Sequence, residues 1–121
     1  MNICLIVLDW PQRDAEHVLV TAEQMIHLEN QILSNGFPVE ALMEKVGQAM
    51  ASWFLKHSRL LECGVVVIVG PGHNGGDGLV VARELFLSGV DVAIWCPLEI
   101  RKELTTELLR HVSWLGIKQL L

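Results

Sequence analysis

The chain has 121 residues, 51% hydrophobic and 19% charged, with a formal net charge of −5. That length holds one domain at most, and the apolar fraction is enough to fill a core, which argues against disorder. Nine Lys and Arg, scattered along an acidic chain, do not form the basic cluster that a nucleic-acid surface needs.

The opening run Ile3 to Leu8 is apolar, but it has no basic residues before it and Asp9 cuts it short. It is too short for a signal peptide, and no stretch approaches the roughly 18 apolar residues that cross a bilayer. Residues 1–17 are read as a leader of unassigned structure, either an extra strand or a product of start-site choice. Three cysteines, Cys4, Cys63 and Cys96, without CxxC spacing, argue against a disulfide framework and a zinc site. Cys63 and Cys96 flank strands and are expected to be buried, inert thiols. A reducing cytoplasm follows.

Thr21-Ala22-Glu23-Gln24 has the form of a capping box, followed by Met25, Leu28 and Ile32 at helical spacing. Asn35-Gly36 supplies a left-handed stop, so the first helix spans about 22–34. Pro38 can start the next helix, where its missing N–H is not needed. Leu42, Met43, Val46, Met50, Trp53, Phe54 and His57 then form one stripe, giving a helix over about 38–58. His57 fits there as a cation at the helix C-terminus.

The period then changes. Val65-Val66-Val67-Ile68-Val69 is a continuous β-branched run, as in a strand buried on both faces of a parallel sheet. A loop, Gly70 to Gly76, leads to a helix over Asp77–Leu87, stopped at Ser88-Gly89. Val90 to Trp95 is a second strand, ended by Pro97. Strand, loop, helix and strand in about 30 residues make a βαβ unit with a right-handed crossover. A last helix over about 98–115 carries Ile100, Leu104, Leu108, Val112 and Leu115. Gly116 stops it, and Ile117 to Leu121 opens a third strand. The expected fold is α/β: a Rossmann-like three-layer parallel sheet with flanking helices, truncated in the third strand.

Gly70-Pro71-Gly72-His73-Asn74-Gly75-Gly76-Asp77-Gly78 joins the first strand to its helix. Glycines there allow positive φ and close approach of backbone to a ligand. A helix N-terminus offers unpaired N–H groups and partial positive charge, which suit phosphate. The same glycines would also serve a tight, purely structural turn. A P-loop needs Lys and Ser or Thr where Gly76-Asp77-Gly78 stands, so that motif is rejected. Gly70-x-Gly72-x-x-Gly75 matches GxGxxG. An ordinary NAD-dependent dehydrogenase, however, also wants a ribose-binding acid at the end of the second strand. That strand ends Ile94-Trp95-Cys96-Pro97, and Asp91 lies at its beginning.

The nine-residue segment resembles the GPGNNGGDG signature of the NAD(P)H-hydrate epimerase family, the YjeF amino-terminal domain. Val20-Thr21-Ala22-Glu23-Gln24-Met25 resembles that family's opening helix. Gly36-Phe37-Pro38 with Leu42-Met43-Glu44-Lys45-Val46-Gly47 resembles its GIP…LMENAG helix, and Leu115-Gly116-Ile117 its LGV step. These landmarks occur in family order over residues 18–121, so the resemblance makes that span the amino-terminal half of such a domain.

The resemblance implies an isomerase of nicotinamide cofactor repair. It interconverts the R and S hydrates of NADH and NADPH, so that a partner or fused dehydratase accepting one of them can clear both. It implies a dinucleotide-binding segment of His73, Asn74, Gly75, Gly76 and Asp77, and a potassium ion held partly by Asn74, whose side-chain oxygen suits a hard cation. It also implies a homodimer when the domain is complete.

His73 stands where the family has asparagine; it either donates a hydrogen bond to phosphate or faces solvent. Asp77 either sits favourably at the positive helix end or braces the loop and bonds a ligand hydroxyl. Lys45 replaces another family asparagine. The family's acidic VDALFGTG-type motif, with its catalytic aspartate, and its DxPSG-type segment have no counterpart here. Glu44, Glu84 and Asp91 read as solvated. Residues 1–121 are therefore expected to contain no catalytic acid–base group and not to epimerise alone. The alternative is a non-catalytic nucleotide-binding or dimerising module of the same fold.

Overall fold

A computed structural model describes residues 19–121, in two compact units that divide after Gly36. The leader, residues 1–17, lies outside the described residues. The first unit contains helix α1, Ala22–Ser34. Its capping box is formed: the Gln24 amide donates to Thr21 Oγ1 at 3.2 Å, and the Thr21 amide donates to Gln24 Oε1 at 2.8 Å. Asn35 caps its C-terminus and Gly36 takes a φ of 92°.

The second unit runs α2 (Val39–Lys56), a 3-10 turn (Ser58–Leu61), β1 (Val65–Ile68), α3 (His73–Leu87), β2 (Val92–Trp95), α4 (Glu103–Trp114) and β3 (Lys118–Leu120). Pro38 is the N-cap of α2 rather than its first residue. His57 caps the other end, with Nδ1 2.7 Å from the Trp53 carbonyl and its ring stacked on Trp53 at 4.0 Å. The sheet is all parallel in the order β1-β2-β3, with Val65 beside Val92 and Ala93 beside Lys118. Parallel neighbours need crossovers, and right-handed ones bring α3 and α4 onto the same face.

The core lies on that face. Val69, Ile94, Leu79, Leu85 and Val112 are fully buried there, with Val65 and Val67 packed against them. β1 was expected to be buried on both sides, and it is not. Its burial alternates, and Val66 and Ile68 are exposed at 55% and 65%. The described strands are short, and the described helices of this unit that cross between them serve one face only. α4 begins at Glu103, five residues later than its apolar stripe suggested. Its buried positions are Thr105 and Val112, with Leu108 and Leu109 packed beside the core.

The largest revision is at α3. It starts at His73, not Asp77, so Asn74, Gly75, Gly76, Asp77 and Gly78 are helical. Three glycines inside a helix cost about 3 kcal/mol relative to alanine. The same helix buries Leu79, Val80, Val81, Ala82 and Leu85, and full burial of one Val or Leu side chain is worth about 1.5–3 kcal/mol. Tertiary packing therefore outweighs local propensity.

Glycine also lets α2 and α3 touch. A Cβ on Gly47 would clash with Cγ1 of Val80 and lie 2.5 Å from its Cβ. A Cβ on Gly76 would lie 2.5 Å from Sδ of Met43. A bidentate ion pair flanks this contact. Arg83 of α3 donates to Glu44 Oε1 at 2.8 Å and Oε2 at 2.6 Å, and also to Glu84 Oε1. Glu44 and Glu84, read from sequence as solvated, hold this guanidinium instead; its side chain is only 13% exposed. The hydrogen bond from Arg83 holds the Glu44 carboxyl below its usual value, against the opposing effect of burial, and the Arg83 charge and the Gln48 amide assist.

Two outcomes follow from the α2–α3 contact. Gly47→Ala improves helix propensity by about 1 kcal/mol, but the branched Val80 cannot swing its Cβ away. We expect a net loss of about 1–3 kcal/mol, read as a lower urea midpoint; an unchanged midpoint would mean the two helices separate freely. The depressed Glu44 pKa contributes stability above the ordinary carboxylate value of 4.5, which is lost as pH falls through the folded-state value. Glu44→Gln should therefore lower Tm at pH 7 and flatten its fall below about pH 5; parallel acid profiles for the two proteins would contradict this.

Candidate nucleotide-binding site

The glycine segment emerges at the carboxyl end of β1, where open α/β sheets place their ligands. The Val69 amide still donates to the Trp95 carbonyl at 2.8 Å, so the chain leaves the sheet at Gly70. Gly72 is the N-cap of α3, with φ −103° and ψ −167° and no side-chain cap. Helical geometry gives the amides of His73, Asn74 and Gly75 no carbonyl four residues back. The Gly75 amide turns back to the Gly72 carbonyl at 3.1 Å.

Gly75 is glycine for reasons of space: a Cβ there would run into the Gly70 carbonyl oxygen. The expected positive φ is absent. The described residues with positive φ are Gly36, Gly64, Gly89 and Gly116, all outside this segment. A Cβ on Gly70 or Gly72 would meet nothing within 4 Å. Open space therefore lies over the start of the segment, and close packing lies beneath its end.

The five residues expected to contact a dinucleotide divide accordingly. His73 and Asn74 are exposed on the first turn of α3. Gly75 and Gly76 are buried beneath it, against Gly70 and Met43. Asp77 is half-buried one turn further on: with α3 starting at His73, it is not the first-turn acid that the sequence suggested. Lys45 is exposed on α2. Asn74 offers one amide oxygen to a cation. Among the described residues no three His, Cys, Asp or Glu side chains come together as a metal site. Asn74 supplies one neutral oxygen of the several that a hard cation requires, so a potassium ion held there would need further oxygens besides it.

Two loop carbonyls are tied to the segment that follows β2. The Arg101 amide donates to the Pro71 carbonyl at 2.9 Å, and Thr105 Oγ1 donates to the Gly72 carbonyl at 3.0 Å. Thr105 is completely buried. Sequence reasoning missed it, although the spacing 105, 108, 109, 112 puts it on the apolar face of α4 beside Leu108, Leu109 and Val112. Arg83, the one cation within α3, was also missed. Cys63 is exposed, contrary to expectation, because it lies in the turn before β1. Cys96 is half-buried after β2, and burial pushes its thiol up.

Comparison with known proteins agrees with this geometry. The family model "YjeF-related protein N-terminus" matches residues 39–120. The bifunctional NAD(P)H-hydrate repair enzyme Nnr of Thermosynechococcus vestitus is 43% identical over 100 residues, covering 82% of this chain and 20% of that protein. The NAD(P)H-hydrate epimerase of Yarrowia lipolytica is 36% identical over 103 residues, covering 82% of this chain and 42% of that one. The crystal structure of the yeast protein ynu0, YNL200c, superposes with a TM-score of 0.76 at 28% identity, over 86% of this chain and 47% of that one. The chain thus spans less than half the length of these relatives. With its α/β fold of three parallel strands and its glycine-rich helix start, this chain belongs to the YjeF N-terminal, NAD(P)H-hydrate epimerase family.

Proposed function

We propose that residues 18–121 form the dinucleotide-binding half of an NAD(P)H-hydrate epimerase, working in nicotinamide cofactor repair beside a dehydratase. One observation carries this reading: the exposed first turn of α3, His73-Asn74, opens onto free space above Gly70 and Gly72 at the carboxyl end of β1. The positive end of a 15-residue helix lies there, and a pyrophosphate complements both its charge and its N–H groups. His73 would donate to phosphate from its ring. Asp77, within the first turns of α3, would brace that turn or bond a ribose hydroxyl. Asn74 would give one oxygen to a potassium ion, which when bound adds positive charge beside the diphosphate.

The division of labour follows from what these residues are. They bind and orient; none has the position or environment of a general acid or base. Glu44 and Glu84 are held by Arg83, and Asp91 lies by Gly64, at the opposite end of the strands from the loop. Acid–base assistance to breaking and remaking the bond at the hydrated ring carbon therefore belongs to the family's acidic motif, which residues 1–121 do not contain. The closest competing reading, a binding module without turnover, shares the loop and differs only in that motif.

The test is a chimera in which residues 39–120 replace the matching segment of the Yarrowia lipolytica epimerase. It should interconvert the R and S hydrates of NADPH, whereas residues 1–121 alone should not. In the chimera, Asn74→Ala should slow epimerisation and flatten its dependence on potassium. A folded chimera that binds NADP+ without turnover would favour the binding-module reading; one that does not bind NADP+ would remove the nucleotide reading altogether.

A further inference from the structure

We propose that Thr105 is a positioning residue for the pyrophosphate site: its buried hydroxyl turns the Gly72–His73 peptide so that the His73 N–H faces the ligand. This deepens the nucleotide-binding reading above and rests on it.

A trans peptide is planar, and its C=O and N–H point in opposite directions. Whatever captures the carbonyl of residue i therefore aims the amide of residue i+1 the other way. The structure captures two consecutive carbonyls. Pro71 O accepts from the Arg101 amide at 2.9 Å, and Gly72 O accepts from Thr105 Oγ1 at 3.0 Å. Both donors come from the segment after β2 and from α4. The partner amides, Gly72 N–H and His73 N–H, must then point away from α4. Next to these amides, Cβ atoms at Gly70 and Gly72 would find nothing within 4 Å, which is space for a ligand.

Gly75 belongs to the same arrangement. Its amide also donates to the Gly72 carbonyl, at 3.1 Å. That removes the Gly75 N–H from the ligand and shifts the binding amides two or three residues toward the start of the segment. Among the described residues, Thr105 is the one buried polar side chain. A valine would suit the apolar stripe of α4 equally well, so the hydroxyl needs a reason, and the Gly72 carbonyl provides it. The fit is close: a Cβ on Gly76 would sit 3.2 Å from Thr105 Oγ1. Gly76 thus allows α4 near enough for the hydroxyl to reach.

The experiment titrates the 15N-labelled 121-residue chain with NADP+, as wild type, Thr105→Ser and Thr105→Val. Ser keeps the donor; Val keeps the shape and loses it. Wild type and Thr105→Ser should shift the Gly72 and His73 amide resonances with similar dissociation constants. Thr105→Val should bind about tenfold more weakly, with smaller shifts at those two amides. A folded Thr105→Val with the wild-type constant overturns the proposal, however far its Tm falls. Should that variant not fold, the wild-type titration decides: shifts at Gly72 and His73 support the proposal, and shifts confined to Asn74 and Gly75 overturn it. A wild type that does not bind NADP+ defeats the nucleotide reading itself, and this proposal with it.

Discussion

The rest of the structure depends on the approach of the Gly75 backbone to the Gly70 carbonyl. A strand leaving a parallel sheet must reverse into a helix that packs back on the same sheet. Here it does so within a few residues, because nothing stands between the carbonyl at the start of the turn and the first turn of α3. Any side chain at residue 75 would push the helix start outward. The helix N-terminus would then leave the strand ends, and the buried row from Leu79 to Leu85 would lose its seat on Val69 and Ile94.

The glycines that follow extend the same logic sideways. Gly76 lies under Met43 and near Thr105, and Gly47 of α2 lies against Val80 of α3. Side chains of α2 and α4 are thereby brought against the backbone of α3 around one short segment. Close packing of this kind is intolerant of added volume. The Arg83 guanidinium, held in a bidentate grip by Glu44, closes the exposed side of the α2–α3 contact. Helix packing, together with the hydrogen bonds from Arg101 and Thr105 to the loop carbonyls, therefore holds the segment in place.

Much of this was legible from sequence. The capping box at Thr21 and Gln24 is a local device, and so are the glycine stops at Gly36, Gly89 and Gly116; local chemistry reads directly. β1 was visible in its unbroken β-branched run, and β2 in the apolar stretch that Pro97 ends. The start of α3 was not, because helix propensity treats Gly75, Gly76 and Gly78 as breakers, and only contacts from α2 and α4 reverse that. Thr105 and Arg83 were missed, and Glu44 was read as solvated, for a related reason. Each acts across elements, over separations of 33 to 39 residues, and a single sequence carries no sign of such pairings. The one-sided burial of β1 was hidden as well, since a valine run looks the same whether one face is covered or two.

The distribution of backbone angles has a consequence for how this family can vary. Every positive-φ glycine described here ends or precedes an element, and none lies in the segment from Gly70 to Gly78. Within that segment the backbone of Gly72 is extended and open to any L-amino acid, and the space above it is vacant in the protein alone. Folding therefore imposes a demand for glycine at residue 75 and leaves residue 72 free. If glycine persists at residue 72 across homologues, the selecting agent is the bound molecule, so a comparison of natural variability at these two positions separates selection by the fold from selection by the ligand.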